Sequence, residues 1–99
     1  MRMKDKVVLI TGGAAGIGRA TAQRFAEEGA QIVICDLNEG AGQQTASELG
    51  ATFYKVNVTS QGDVRQWVAA VIDRYGHIDV LVNNAGIVRD GQLVKFKEG

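Results

Sequence analysis

The residues best suited to chemistry are the glycines of the segment Thr11–Gly18, which reads Thr-Gly-Gly-Ala-Ala-Gly-Ile-Gly. An apolar stretch of strand length, Lys6–Ile10, precedes the segment, and a helix-forming stretch that stops at Gly29 follows it. The glycines are therefore predicted to lie on a strand-to-helix turn, where backbone that lacks a Cβ can approach a ligand closely. The unpaired N–H groups and the dipole at the start of the helix favour a bound phosphate.

The spacing of these glycines distinguishes between kinds of phosphate site. A P-loop requires Lys and then Ser or Thr directly after its last glycine, whereas Gly18 is followed by Arg19 and Ala20. The order Gly-x-x-x-Gly-x-Gly also differs from the common Gly-x-Gly-x-x-Gly. We expect Gly12 to make the tight turn, Gly16 to clear space for a pyrophosphate, and Gly18 to let the helix pack closely on the strand. An ordinary glycine-rich loop is the alternative interpretation.

A carboxylate, Asp36, ends the second predicted strand. At that place it can accept hydrogen bonds from both hydroxyls of an adenosine ribose. Its charge would repel a 2′-phosphate, so the residue favours NAD over NADP. Arg19, a nearby cation that directly follows Gly18 in the sequence, keeps NADP as an alternative. A surface acid that merely ends a strand is the alternative.

The ends of the third and fourth strands supply further candidates. Asn57 and Val58 can contact the adenine ring, although an Asn that simply closes a turn fits this position as well. For Asn83 and Asn84, after strand four, we expect backbone support and cofactor contact. The candidate cofactor-binding residues are Gly12, Ala14, Ala15, Gly16, Ile17, Gly18, Asp36, Leu37, Asn57, Val58, Asn84, Ala85 and Gly86.

Four strand-like and three helix-like segments alternate along the chain. The strands are predicted at 6–11, 31–36, 51–57 and 78–82, and the helices at 15–28, 39–49 and 61–75. Ser60 is expected to cap the third helix and Gly76 to end it. The second helix has the weakest signal, because Gly40 and Gly42 each cost about 1 kcal/mol relative to Ala.

This alternation predicts an α/β fold, a Rossmann-type doubly wound parallel sheet with helices on both faces. With right-handed crossovers and the strand order 3-2-1-4, strands one and four are neighbours whose connections leave in opposite directions. The crevice beyond their carboxyl ends is the switch point where such sheets bind ligands. The glycine turn and the Asn-Asn-Ala-Gly segment are both expected there.

Composition narrows the function classes. The 99 residues carry 11 Lys and Arg against 11 Asp and Glu, a net charge of zero that favours neither nucleic acid nor an anionic membrane as partner. No stretch has the apolar length of a membrane span. No Cys/His cluster has metal-ligand spacing, and the single Cys fits a reducing compartment, so we expect a cytoplasmic protein without a metal.

Taken together, the glycine motif, Asp36 and the segment Asn83-Asn84-Ala85-Gly86 resemble the N-terminal part of a short-chain dehydrogenase/reductase, over the whole chain. The resemblance implies that residues 1–99 are the N-terminal portion of an NAD(P)-binding Rossmann domain. It also implies hydride transfer between a nicotinamide and a carbonyl/alcohol pair. NAD is the expected cofactor, with NADP second.

Two shorter matches point to one branch of this family. Asn57-Val58-Thr59 and 86–91 are most similar to the 3-oxoacyl-[acyl-carrier-protein] reductases. That similarity implies a small-molecule or acyl-thioester substrate and a homo-oligomeric full-length parent. Many of these reductases use NADPH, and Asp36 departs from that pattern.

The catalytic residues that the resemblance implies have no match in this chain. Such enzymes use a Ser together with a Tyr and a Lys spaced Tyr-x-x-x-Lys, in which the Tyr is the general acid/base. The tyrosines here are Tyr54 and Tyr75, and neither is followed by Lys at that spacing. We therefore expect a truncated cofactor half that is inactive alone, from an NAD(P)-dependent enzyme. The alternative is a non-catalytic dinucleotide-binding module or an isolated half-fold.

Overall fold

A computed structural model of the protein describes residues 3–84, so the expectations for Ala85, Gly86 and the segment 87–99 lie outside the described residues. In chain order the elements are β1 (Val7–Thr11), α1 (Gly16–Glu27), β2 (Gln31–Asp36), α2 (Glu39–Leu49), β3 (Thr52–Lys55), α3 (Gln61–Tyr75) and β4 (Val80–Asn83).

The four strands form one parallel sheet in the order β3-β2-β1-β4, which confirms the predicted topology. Val8 of β1 lies opposite Ile32 of β2 on one side and Val80 of β4 on the other. Because all strands run in the same direction, their carboxyl ends meet at one edge of the sheet. That edge carries the glycine turn.

Both faces of the sheet are covered, because β1 is buried along its whole length. Val7 and Leu9 belong to a cluster with Trp67, Val68 and other residues of α3. Residues 8 and 10 belong to a second cluster, on the α1 and α2 side, that includes Ala22 and Ala46. Each fully buried Leu or Ile contributes about 1.5–3 kcal/mol, so this continuous apolar run makes β1 the centre of the fold.

Three strands differ from their predicted bounds: β1 starts one residue late, at Val7, and β3 and β4 differ more. β3 is shorter than 51–57, because the Asn57 N–H donates to the Asp63 carboxylate (3.1 Å) and the chain turns toward α3. β4 starts later than residue 78, because the Asp79 side chain accepts a hydrogen bond from the Val7 N–H (2.8 Å) at the start of the ladder. At its other end β4 extends to Asn83, which lies opposite Thr11.

All three helices form, including the second, and each end lies within one residue of the predicted bound. Asn38 caps α2 by accepting a hydrogen bond from the Ala41 N–H (3.1 Å), and Gly50 ends it in the left-handed region. Gly42 allows α2 to lie directly on β3, since a Cβ there would overlap the Phe53 ring. The close packing that Gly42 permits offsets its poor helix propensity. Among residues 3–84, no helix has both the length and the apolar character needed to cross a bilayer.

Candidate functional site

The carboxyl edge of the sheet brings together the separate sequence motifs. Thr11, the last residue of β1, lies beside Cys35 of β2 and beside Asn83 of β4. The residues that follow these strands are therefore neighbours, although Cys35 and Asn83 are 24 and 72 positions from Thr11 in sequence. The glycine turn and the start of the Asn-Asn segment meet as expected, with Asp36 next to them.

The turn after β1 is tied to β2 by its first two N–H groups. The Gly12 and Gly13 N–H groups both donate to the Cys35 carbonyl, at 2.9 and 3.2 Å. Gly12 has φ 66° and Gly16 has φ 60°, values that residues with a side chain rarely adopt. Glycine at both positions therefore lets the chain leave the strand and enter α1 without strain.

The glycines differ in what surrounds them. A Cβ on Gly18 would overlap the Gly12 carbonyl oxygen, which agrees with the close helix-to-turn packing expected there. A Cβ on Gly16 would meet no atom within 4 Å, so the space beside Gly16 is open. Gly13, which the glycine spacing does not single out, is also enclosed, because a Cβ there would lie only 2.6 Å from a methyl carbon of Ile34.

The N-terminus of α1 lacks the side-chain cap that the other two helices have. Ala15 is its N-cap residue and makes no capping hydrogen bond, whereas Asn38 and Ser60 cap α2 and α3. The first N–H groups of a helix have no acceptor within the helix, and together they carry about half a positive charge. Ile17, in this first turn, is 77% exposed. An anion can therefore reach the start of α1.

Asp36 holds the turn from the β2 side. Its Oδ2 accepts a hydrogen bond from the Ala14 N–H (3.2 Å), and its Oδ1 accepts one from the Asn38 N–H (3.1 Å). A carboxylate oxygen has two lone-pair sites, so each oxygen keeps the capacity to accept another hydrogen bond. Leu37, the next residue, is exposed beside it.

Asn57 closes a turn after β3. Its side-chain oxygen accepts hydrogen bonds from the Thr59 N–H (3.0 Å) and the Thr59 hydroxyl (2.6 Å). Val58 is half-buried and packs against the core cluster that includes Trp67. These hydrogen bonds support the turn-closing interpretation of Asn57. Val58, the next residue, lies at the same edge of the sheet.

The two asparagines after β4 also hold the turn. The Asn84 side-chain N–H donates to the Gly12 carbonyl (3.2 Å), and the Asn83 side-chain oxygen accepts a hydrogen bond from the Thr11 hydroxyl (3.2 Å). The expected backbone support is therefore present in the structure. Ala85 and Gly86 lie outside the described residues.

Thr45 and its neighbours form a second group, which none of the sequence motifs includes. The buried Thr45 hydroxyl donates to the Ala14 carbonyl (2.8 Å), and Arg19 reaches both Thr45 (3.4 Å) and Glu48 (2.7 Å). This ion pair lowers the pKa of the Glu48 carboxyl, mainly through the hydrogen bond from Arg19. The sequence holds a signal: in the predicted helix 39–49, Thr45 lies at helical spacing from Gly42 and Leu49, and a hydroxyl on a packed face requires a partner.

Two other reactive side chains take no part in this edge. Burial raises the pKa of the Cys35 thiol to about 12, so the thiol stays neutral and Cys35 acts as a core residue. His77 lies at the opposite end of the sheet, where it pairs with Asp79 (2.9 Å). Among residues 3–84, no group of three or more His, Cys, Asp and Glu side chains is arranged to hold a metal ion.

The chain is similar to one protein family and to several curated proteins. The family profile described as short chain dehydrogenase matches residues 6–99. Zerumbone synthase of Zingiber zerumbet is 42% identical, over 99% of this chain and 41% of its own length. For 3-oxoacyl-[acyl-carrier-protein] reductase FabG of Thermotoga maritima the identity is 45%, over 99% and 42%. For sorbitol dehydrogenase of Cereibacter sphaeroides it is 46%, over 97% and 38%. The chain thus spans about two-fifths of the length of these curated relatives.

Proposed function

The chain belongs to the short-chain dehydrogenase family, and from that premise we propose that it is the dinucleotide-binding part of an NAD(P)-dependent oxidoreductase. The family consists of oxidoreductases that use NAD(P). The observation that carries the proposal is the contact between the glycine turn and Asp36, through the Ala14 N–H. It joins an anion-binding helix start to a carboxylate that can bind a ribose.

Each candidate residue has a role in this proposal. The first turn of α1 would hold the pyrophosphate, in the open space beside Gly16. Asp36 would accept hydrogen bonds from the hydroxyls of the adenosine ribose. The other described candidates are assigned by their place at the edge. The pyrophosphate site would be shaped by Gly12, Ala14, Ala15, Ile17 and Gly18, the adenine side by Leu37, Asn57 and Val58, and the nicotinamide side by Asn84. Ala85 and Gly86 are assigned to the nicotinamide side because they follow Asn84 in the sequence.

We propose NAD as the preferred cofactor. Asp36 would place a negative charge where NADP carries its 2′-phosphate, and like charges at such a distance repel. Arg19, the nearby cation, is engaged by Glu48 at 2.7 Å. An arginine held by a carboxylate is a poorer partner for a phosphate than a free one, which supports the same choice.

The bound nicotinamide would supply a hydride acceptor or donor for a carbonyl/alcohol pair. For the protein that carries this chain we propose reduction of a 3-oxoacyl thioester as the first reaction to assay, on the motif similarity and on the name of the Thermotoga maritima relative. The names of the other relatives indicate different substrates for those proteins. We further propose that the 99 residues alone are inactive, because they contain no Tyr-x-x-x-Lys.

That last observation also favours a second candidate function, a non-catalytic dinucleotide-binding module. The two functions are separated by one pair of measurements on the purified protein. Intact mass establishes the length of the polypeptide, and an assay of NADH oxidation with an acetoacetyl thioester measures turnover. Cofactor-dependent turnover by a longer polypeptide supports the oxidoreductase, whereas a purified polypeptide of only 99 residues that binds NAD without turnover supports the module. Absence of NAD binding by calorimetry contradicts both.

A further inference from the structure

A buried threonine outside the glycine motif contacts the turn. Thr45 lies on α2, is 1% exposed, and is 31 residues from Ala14 in sequence. Its hydroxyl donates to the Ala14 carbonyl at 2.8 Å. Hydroxyls are costly to bury unless they make a hydrogen bond, so this bond accounts for a polar group on the apolar face of α2.

The chemistry of its two partners determines whether the Thr45 hydroxyl donates or accepts in each hydrogen bond. The Arg19 guanidinium has only N–H groups and can only donate, so Thr45 accepts from it (3.4 Å). The Ala14 carbonyl can only accept, so the Thr45 hydroxyl hydrogen points to it. Glu48 holds Arg19 in place from the next turn of α2 (2.7 Å). The hydroxyl is thereby oriented before any ligand binds.

Fixing the Ala14 carbonyl also fixes the next N–H group. None of the described peptide bonds is cis, and in a trans peptide the C=O and the following N–H point in opposite directions. The Ala14 carbonyl points toward Thr45, so the Ala15 N–H points away from α2. Asp36 holds the preceding peptide in the same way, through the Ala14 N–H (3.2 Å). Both peptides that flank the Cα of Ala14 are therefore held by side chains from outside the turn.

We infer that Thr45 is a positioning residue for a diphosphate ligand: it orients the peptide between Ala14 and Ala15 so that the backbone at the start of α1 is arranged for phosphate oxygens. This inference rests on the proposed function. Thr45 itself is buried beneath the turn and acts only through Ala14. Thr45 therefore contributes to the affinity for the phosphate part of a dinucleotide and not to the affinity for the nucleoside part.

The test compares ADP with adenosine, which share the ribose and the adenine but differ in the diphosphate. Dissociation constants are measured by calorimetry for the full-length protein that carries these residues and for its Thr45→Val variant, which keeps the side-chain shape and removes the hydroxyl. We expect ADP to bind about tenfold more weakly to the variant, the typical effect of one lost hydrogen bond, and adenosine to bind equally well. Thr45→Ser, which keeps the hydroxyl, is expected to restore the affinity for ADP.

Thr52→Val is the matched control. The Thr52 hydroxyl pairs with the Tyr75 hydroxyl (2.7 Å) at the other end of the sheet, so this variant loses a comparable bond far from the turn. It should be destabilised but should bind ADP like the wild type. If Thr45→Val does not fold, Thr45→Cys replaces it, and the weaker thiol donor should give an affinity for ADP below that of Thr45→Ser.

The outcomes separate the two proposals. Wild-type protein that binds neither ADP nor adenosine overturns the proposed function, and this inference with it. Wild-type binding of ADP that Thr45→Val leaves unchanged overturns the inference alone. A loss of affinity that is equal for ADP and adenosine also overturns it, because a general structural defect would weaken both ligands.

Discussion

The Asp36 carboxylate has a structural task that does not depend on any ligand. It binds the Ala14 N–H on one oxygen and the Asn38 N–H on the other, and so joins the glycine turn to the start of α2. The hydrogen bonds that we propose for a ribose would use the remaining lone pairs of the same two oxygens. Cofactor choice and turn geometry are therefore linked at one residue.

We predict that Asp36→Ser reverses the cofactor preference. Removing the negative charge removes the repulsion of a 2′-phosphate, and the hydroxyl of Ser keeps part of the hydrogen bonding to the turn. The ratio of the NADP to the NAD dissociation constant should fall by one to two orders of magnitude, roughly the effect of one partly screened charge. Calorimetric titration of both cofactors measures it. Wild-type protein that binds NADP more tightly than NAD would contradict the assigned role.

At the scale of elements, the start of α1 combines two properties that other helix starts in the described residues do not share. Its N-cap residue, Ala15, provides no side-chain acceptor, and the next residue, Gly16, has φ 60° with no atom within 4 Å of its absent Cβ. Open space at this point is not a packing defect, because neighbouring Gly13 and Gly18 are tightly enclosed. It is the place where a ligand can contact bare backbone.

We predict that Gly16→Val abolishes nucleotide binding and leaves the fold in place. The side chain would occupy the space proposed for the pyrophosphate, and its positive φ would cost about 1–3 kcal/mol of stability. Circular dichroism should stay near that of the wild type, while calorimetry with NAD should show no binding.

Gly50→Val is the control for the backbone strain in Gly16→Val. Gly50 also has a positive φ, 68°, and open space around its Cβ position, but it lies at the C-terminal end of α2, away from the glycine turn. It should show a similar loss of stability and keep the affinity for NAD. Equal affinities in Gly16→Val and the wild type would return the segment to an ordinary glycine-rich loop.

For the whole molecule, the sheet that residues 3–84 form has two edge strands, β3 and β4. β4 is the apolar sequence Val-Leu-Val-Asn, and its residues are only half-buried within residues 3–84. The chain also spans about two-fifths of the length of its relatives. We propose that the rest of a full-length enzyme covers β4 and supplies the substrate site.

We predict that the 99-residue polypeptide, produced alone, self-associates through β4 or is partly unfolded. β4 is an edge strand of the sheet that residues 3–84 form, and an apolar edge strand is a site where another strand can pair. Even a complete domain of this size has only roughly 5–15 kcal/mol of stability. Sedimentation velocity over a range of concentrations checks this expectation. A monodisperse monomer with cooperative thermal unfolding would show that β4 is covered within these 99 residues.

The sequence by itself determined the order of the helices and strands and the position of the motifs at one edge of the sheet. Continuous apolar runs such as Val7–Ile10 predict buried parallel strands, and right-handed crossovers then leave few topologies. Given that topology, Asp36 and the Asn83-Asn84 pair must lie beside the glycine turn, because the carboxyl ends of parallel strands share one edge. These conclusions depend on local pattern and on chain direction, which the sequence contains.

Only the tertiary structure decided how the parts of the edge hold one another. Three contacts join segments that are distant in the chain: the hydrogen bond from Thr45 to the Ala14 carbonyl, the hydrogen bond from the Ala14 N–H to Asp36, and the packing of Gly42 against Phe53. The turn-closing use of the Asn57 side chain depends in the same way on exact backbone angles. Sequence periodicity places a residue on a face to within a few ångströms, whereas a hydrogen bond or a steric overlap is decided within a few tenths of an ångström.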